Sequence, residues 1–158
     1  MKPSLTHFVF DVDGVFTTGQ FLYTNEGKFA KVFGPHDADG IKEIKKYMQI
    51  SAISADKRGF AITKKRIQDD MGIPLELISE PEREKYFSEK HDMSKTVYMA
   101  DGIHDAPLLR KAAYGIAPHN AYPTAIQAAD YVTNLRSGEG AVAEACYHVL
   151  EKFFTIQL

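Results

Sequence analysis

Cysteine is nearly absent: Cys146 is the only one in 158 residues, so no internal disulfide forms and paired-thiol redox chemistry is excluded. It lies in AVAEACYHVL, among helix formers, as a small buried hydrophobe rather than a nucleophile. A dominant charge is missing too. Nineteen Lys and Arg stand against 21 Asp and Glu, a net charge of −2, and no basic stripe is available to neutralise a nucleic-acid backbone. No apolar run approaches the roughly 20 residues that a membrane-spanning helix needs, and the opening MKPSLTHFVF has no signal-peptide core. No Cys/His cluster competes for zinc. Repeats, linkers and low-complexity tracts are likewise missing. These absences predict one soluble, cytoplasmic domain over 1–158, with neither nucleic acid nor membrane as its partner.

What is present is a regular alternation. The 44% hydrophobic content suffices for one sizeable core. HFVF (7–10) reads as a strand buried on both faces. FTTGQFLYT and KFAKVFG flank Asn25-Glu26-Gly27 and predict a β-hairpin, a flap over about 15–34. Helices follow at about 39–48, 60–71, 82–91, 105–112, 123–129 and 139–154, and strands at 50–54, 75–79, 96–100, 114–118 and 131–133. Such alternation predicts an α/β, Rossmann-like parallel sheet with helices on both faces.

In such a sheet the ligand site lies outside the carboxyl ends of the strands. Asp11 and Asp13 end the first strand in FDVDGVFTTG, and Ser54 and Ala55 end the second in ISADK. Asp101 and Asp105 follow the fourth in YMADGIHDAPLL, and Lys85 opens the helix before it. Two like charges at the end of a buried strand are tolerated when a cation sits between them. Hard oxygen donors from Asp11, Asp101 and a carbonyl near Asp13 suit Mg²⁺, with Asp105 ordering the metal's surroundings. Asp11 would attack phosphorus, and Asp13 would protonate the leaving alcohol and then take a proton from water. Ser54 and the Ala55 backbone would hold phosphoryl oxygens, while Lys85, with Lys90 in reserve, would offset negative charge. HDADG (36–40) is taken as a turn and helix N-terminus rather than a metal site.

DVDGV, a Ser after an apolar strand, a Lys opening a later helix, and ADGIHD resemble the four motifs of the haloacid dehalogenase superfamily of phosphohydrolases. The hairpin, HDADGI, AYPTAIQAADYVT and SGEGAVAEACYHVL extend the resemblance to its capless branch, which acts on octulosonate and nonulosonate phosphates. That resemblance implies a Mg²⁺-dependent phosphatase for a phosphorylated acidic sugar, and a homotetramer. The chain departs from the branch at Asp56, where a cation is usual, at Ala100 in place of Gly, and at Ala143 in place of Arg. Those departures leave room for a non-catalytic, accessory subunit of the same fold. A receiver-type signalling domain uses a similar acidic cluster, but its phosphorylated Asp follows the third strand. A phosphomutase would need a cap to retain its intermediate. The hairpin's apolar positions, Phe16, Phe21, Tyr23, Phe29 and Val32, predict that hairpins of several subunits pair.

Overall fold

A computed structural model describes residues 4–157; residues 1–3 and 158, included in the one-domain expectation, lie outside the described residues. Strand β1 (His7–Asp11) is followed by the antiparallel hairpin of β2 (Thr17–Thr24) and β3 (Gly27–Phe33). Next come α1 (Asp37–Ile44), β4 (Gln49–Ser54), α2 (Phe60–Lys64) with a wider π-type continuation over Lys65–Asp70, and β5 (Leu75–Leu77). The second half holds α3 (Arg83–Lys90), β6 (Thr96–Met99), α4 (Ala106–Lys111), β7 (Tyr114–Ala117), α5 (Pro123–Ala128), β8 (Tyr131–Val132) and α6 (Ala141–Val149).

Six strands form one parallel sheet in the order β5-β4-β1-β6-β7-β8. The chain leaves β1 toward β4 and β5, then crosses to β6 on the other side. The carboxyl end of β1 is therefore the point where strand order reverses, and Asp11 occupies it.

Alternation along β1 decides which way that carboxylate faces. Phe8 and Phe10 pack with Ile41, Ile44, Val142 and Cys146 on the α1/α6 side. Val9 packs with Phe87, Leu109 and Ala125 on the α3/α4/α5 side. With a period of two, Asp11 shares the face of Val9 and is aimed at α3 and α4. Full burial of one large apolar side chain contributes roughly 1.5–3 kcal/mol, and Phe8, Val9 and Phe10 are all fully buried. The strand that carries Asp11 is thus clamped from both sides.

Two boundaries differ from expectation for a physical reason. Helix α1 begins at Asp37 because the His36 carbonyl already accepts the N–H groups of Asp39 and Gly40, at 3.0 and 3.1 Å, while the Asp37 carboxylate reaches across to accept the backbone N–H of Ala143 at 3.2 Å, capping α6 from a neighbouring helix. A Cβ on Gly40 would lie 2.7 Å from the Ala143 Cα, so α1 and α6 touch backbone to backbone. Strand β5 is only three residues long because Ser79 and Glu82 cap each other and turn the chain toward α3.

Candidate active site

Four loops converge where β1, β4 and β6 end. Val12 N–H and Arg83 Nη2 both donate to Asp11 Oδ1, at 2.9 and 3.0 Å, which fixes the rotamer and leaves Oδ2 for bond formation. Asp101 reaches the same place over Gly14. A Cβ there would stand 1.9 Å from Asp101 Oδ2, and the backbone has φ +78°, so only glycine fits. Asp105 Oδ1 accepts from Arg83 Nη1 at 2.7 Å and from the Tyr98 hydroxyl at 2.8 Å, while its Oδ2 accepts from Gly102 N–H at 3.1 Å. Asp105 is thereby locked as the partner that orients its neighbours.

Carboxylate oxygens of Asp11, Asp101 and Asp105 lie within 4.8 Å of one another. Burial, relieved by Arg83 and aggravated by Asp105, pushes the Asp11 carboxyl up to about 6. Burial and the charges of Asp11 and Asp105 push Asp101 up to about 8. The side chains of Asp11 and Asp101 are close enough to hydrogen-bond, which requires a proton between them or a cation in its place. All donors are hard oxygens, so the cluster fits a divalent metal of the Mg²⁺ kind and not a soft one.

The hairpin supplies the roof. Asp13 faces Lys31, whose ammonium lies 2.9 Å from Oδ1 and 3.0 Å from Oδ2. Lys28 pairs with Asp56 at 2.6 Å and lies 3.5 Å above the Phe21 ring centroid. Burial opposes ionisation of Asp56, but hydrogen bonds from Lys28, Lys31 and Gly59 outweigh it and hold the carboxyl at about 2. Asp11, Asp13, Arg83, Asp101, Lys28 and Asp56 line one open cavity of about 440 Å³. Ala55 lines it too; Ser54 is fully buried behind it, its hydroxyl accepting the Asp56 N–H at 3.2 Å.

A family model for haloacid dehalogenase-like hydrolases matches residues 85–145. The 3-deoxy-D-manno-octulosonate 8-phosphate phosphatase of Escherichia coli strain K12 is 29% identical over 87% of this chain and 75% of its own length. A probable YrbI family phosphatase from Pseudomonas syringae superposes with a TM-score of 0.83 at 29% identity, covering 95% of this chain and 87% of that one. The cobalt-bound deoxy-D-mannose-octulosonate 8-phosphate phosphatase of Haemophilus influenzae gives 0.80 at 26% identity, covering 94% and 89%. The chain is similar to the haloacid dehalogenase-like hydrolases over residues 85–145, and to sugar phosphatases of that kind over most of its length. That likeness makes it a phosphoric monoester hydrolase.

This hydrolase does not bring every expected residue to its centre. Asp11, Asp13, Asp101, Asp105 and Ala55 converge there, with Ser54 directly behind. Lys85 does not. Its side chain is 77% exposed and pairs with Glu89 at 3.8 Å. Lys90 lies at the far end of α3, in a groove with His7, Gln49 and His91. The cation at the cluster is Arg83, two residues before Lys85 and so about 200° away around the helix. The pattern that reveals it is in the sequence: Arg83, Tyr86 and Phe87, at i, i+3 and i+4, form the buried face of α3. Lys28 and Lys31 were also missed, because a hairpin lysine looks like a solvated edge charge until the hairpin is folded back over Asp13 and Asp56. The cations lacking at Asp56 come from that hairpin. His36 and Asp37 stand where the turn reading put them, away from the acidic cluster.

Proposed function

We propose that the chain is a Mg²⁺-dependent phosphatase for the phosphate monoester of an acidic sugar, of octulosonate or nonulosonate type, working through an aspartyl-phosphate. The observation that carries this reading is the Asp11–Asp101–Asp105 cluster, anchored by Arg83 at the end of β1 and roofed by Asp13 and the hairpin lysines. It is supported by the relatives, which are phosphatases of an octulosonate 8-phosphate. Mg²⁺ held by Asp11 and Asp101, with Asp105 behind them, would neutralise the carboxylates and polarise a phosphoryl oxygen.

Asp11 Oδ2 attacks phosphorus as the ester P–O bond breaks. The leaving sugar oxygen takes a proton from Asp13. Asp13, now ionised, then takes a proton from water as that water attacks the phosphorus of the aspartyl-phosphate; the bond to Asp11 breaks and inorganic phosphate leaves. Arg83 stays charged between Asp11 and Asp105, offsetting negative charge in both steps. The Ala55 backbone, which lines the cavity, holds phosphoryl oxygens, and the buried Ser54 hydroxyl behind it braces the loop by accepting the Asp56 N–H. Lys28, which lines the cavity and pairs with Asp56, is the cation that would meet a carboxylate on the leaving sugar.

The same reading makes the chain a single cytoplasmic domain over 1–158 that closes its site by assembly into a homotetramer, since among the described residues only the hairpin of about 15–34 covers the open cavity. The test is phosphate release with Mg²⁺ from eight- and nine-carbon sugar-acid phosphates, hexose phosphates and nucleotides. The reading expects the sugar acids to have the highest kcat/KM. Equal turnover across the panel, or a preference for nucleotides, overturns the substrate class.

A further inference from the structure

Lys31 does something the reaction scheme above does not assign. Its side chain is fully buried, yet it carries a charge, and an ammonium has three protons to place. All three have partners: the Asp13 carboxylate at 2.9 and 3.0 Å, Asp56 Oδ2 at 2.8 Å and the Thr63 hydroxyl at 2.8 Å. No donor is left over for a substrate, in contrast to Lys28 on the cavity wall. The other hydrogen bond described for the Asp13 side chain is a long one, from the Thr17 hydroxyl at 3.4 Å. Thr17 is itself occupied, accepting the N–H groups of Gly14 and Gly19 at 3.1 Å each. The orientation of Asp13 is therefore set chiefly by a lysine on a different strand, 18 residues away. That lysine is pinned from behind by Thr63 of α2 and from the side by the loop after β4.

We propose that Lys31 is a positioning residue, which holds the Asp13 carboxylate in line with the leaving oxygen only when β3 is seated against α2 and the Asp56 loop. This rests on the acid/base role of Asp13 proposed above. Placement of a proton-transfer group to within a fraction of an ångström is what such catalysis needs, and a misplaced group loses on the order of 10²-fold. Seating of the hairpin and readiness of the acid are then one event: a lifted flap leaves Asp13 held by Thr17 alone.

The experiment compares Lys31→Met, Asp13→Asn and the double variant on a sugar phosphate, whose alkoxide needs a proton to leave, and on a nitrophenyl phosphate, whose phenolate does not. Thermal melts establish that each variant is folded. Positioning predicts that Lys31→Met lowers kcat on the alkyl ester roughly 10²-fold with KM little changed. It also predicts a retained first-turnover burst of nitrophenolate, and a double variant within about threefold of Asp13→Asn, because the two act through one group. Equal losses in first-turnover rate on both esters, or a double variant whose losses multiply, would show that Lys31 only fastens the hairpin. If Lys31→Met does not fold, Thr63→Val decides: a several-fold loss of first-turnover rate confined to the alkyl ester supports positioning, and an equal loss on both esters or none overturns it. Asp13→Asn with wild-type turnover on the alkyl ester would instead remove the acid/base reading on which the proposal stands.

Discussion

Arg83 separates two accounts of the charge at this site. It is buried, with Nη2 on Asp11 and Nη1 on Asp105, whereas Lys85 is solvent-exposed. Removing one partner of a buried ion pair costs about 3–5 kcal/mol, because the other charge stays buried without compensation. Arg83→Met should lower the stability of the protein by about that much and abolish phosphatase activity, while Lys85→Ala should leave both unchanged within assay error. Calorimetry and phosphate release on the two variants check this. Asp11→Asn keeps the size of the side chain and removes the attacking charge, so turnover should fall by at least ~10³, about 4 kcal/mol of barrier, with the fold intact. The acidic residues were readable in the sequence because each stands directly after an apolar strand, where spacing alone places it. The cation was not readable in that way. It projects from a helix, where an error of two residues turns the side chain to the opposite face, and only burial of Tyr86 and Phe87 shows which face is inward.

The parallel sheet and its layer of helices followed from the alternation of apolar runs with helical stretches, and β1, β4 and β6 stand within a residue of their expected ends. The hairpin was readable as a hairpin, from Asn25-Glu26-Gly27 between β-rich runs, but its placement was not. Long-range ion pairs to Asp13 and Asp56 fold it over the site, and neither partner announces itself along the chain. Phe16 also changes role. It was expected on the hairpin's apolar face, yet it is fully buried against Phe10, with ring centroids 5.3 Å apart. Phe21, Leu22, Tyr23, Phe29 and Val32 remain 41–58% exposed, an apolar surface that a lone hairpin has little means to cover. If copies of the hairpin cover one another, Phe21→Ser combined with Phe29→Ser should yield smaller species by light scattering. Activity on the sugar phosphate should then fall far more than activity on a small aryl phosphate. A wild-type protein that is monomeric at micromolar concentration and fully active would refute this assembly.

The whole molecule has stability tied up in its acidic cluster. The carboxyls of Asp11 and Asp101 are raised to about 6 and about 8 from 3.8. In that window the folded, metal-free protein binds protons that the unfolded chain has released, so the stability they contribute is complete below about pH 4 and is lost as pH rises toward 8. Asp37, raised to about 6 by burial, acts in the same direction. A divalent cation that replaces the protons restores the loss. Thermal melts with chelator and with saturating Mg²⁺ should therefore show a larger Mg²⁺-induced rise in Tm at pH 8 than at pH 5.5. The difference between the two conditions cancels Asp37 and the histidines, and an equal rise at both pH values would mean that the metal does not bind where these protons sit. No helix among the described residues is long and apolar enough to cross a membrane. The central claim is that Asp11 carries the phosphoryl group. It is tested most directly by acid-quenching the Asp13→Asn variant during turnover of an aryl phosphate with Mg²⁺, digesting it, and mapping phosphate by mass spectrometry. The account predicts phosphate on the peptide that contains Asp11, and none when Asp11 is also Asn; turnover with no phosphorylated peptide, or with phosphate on another residue, would contradict it.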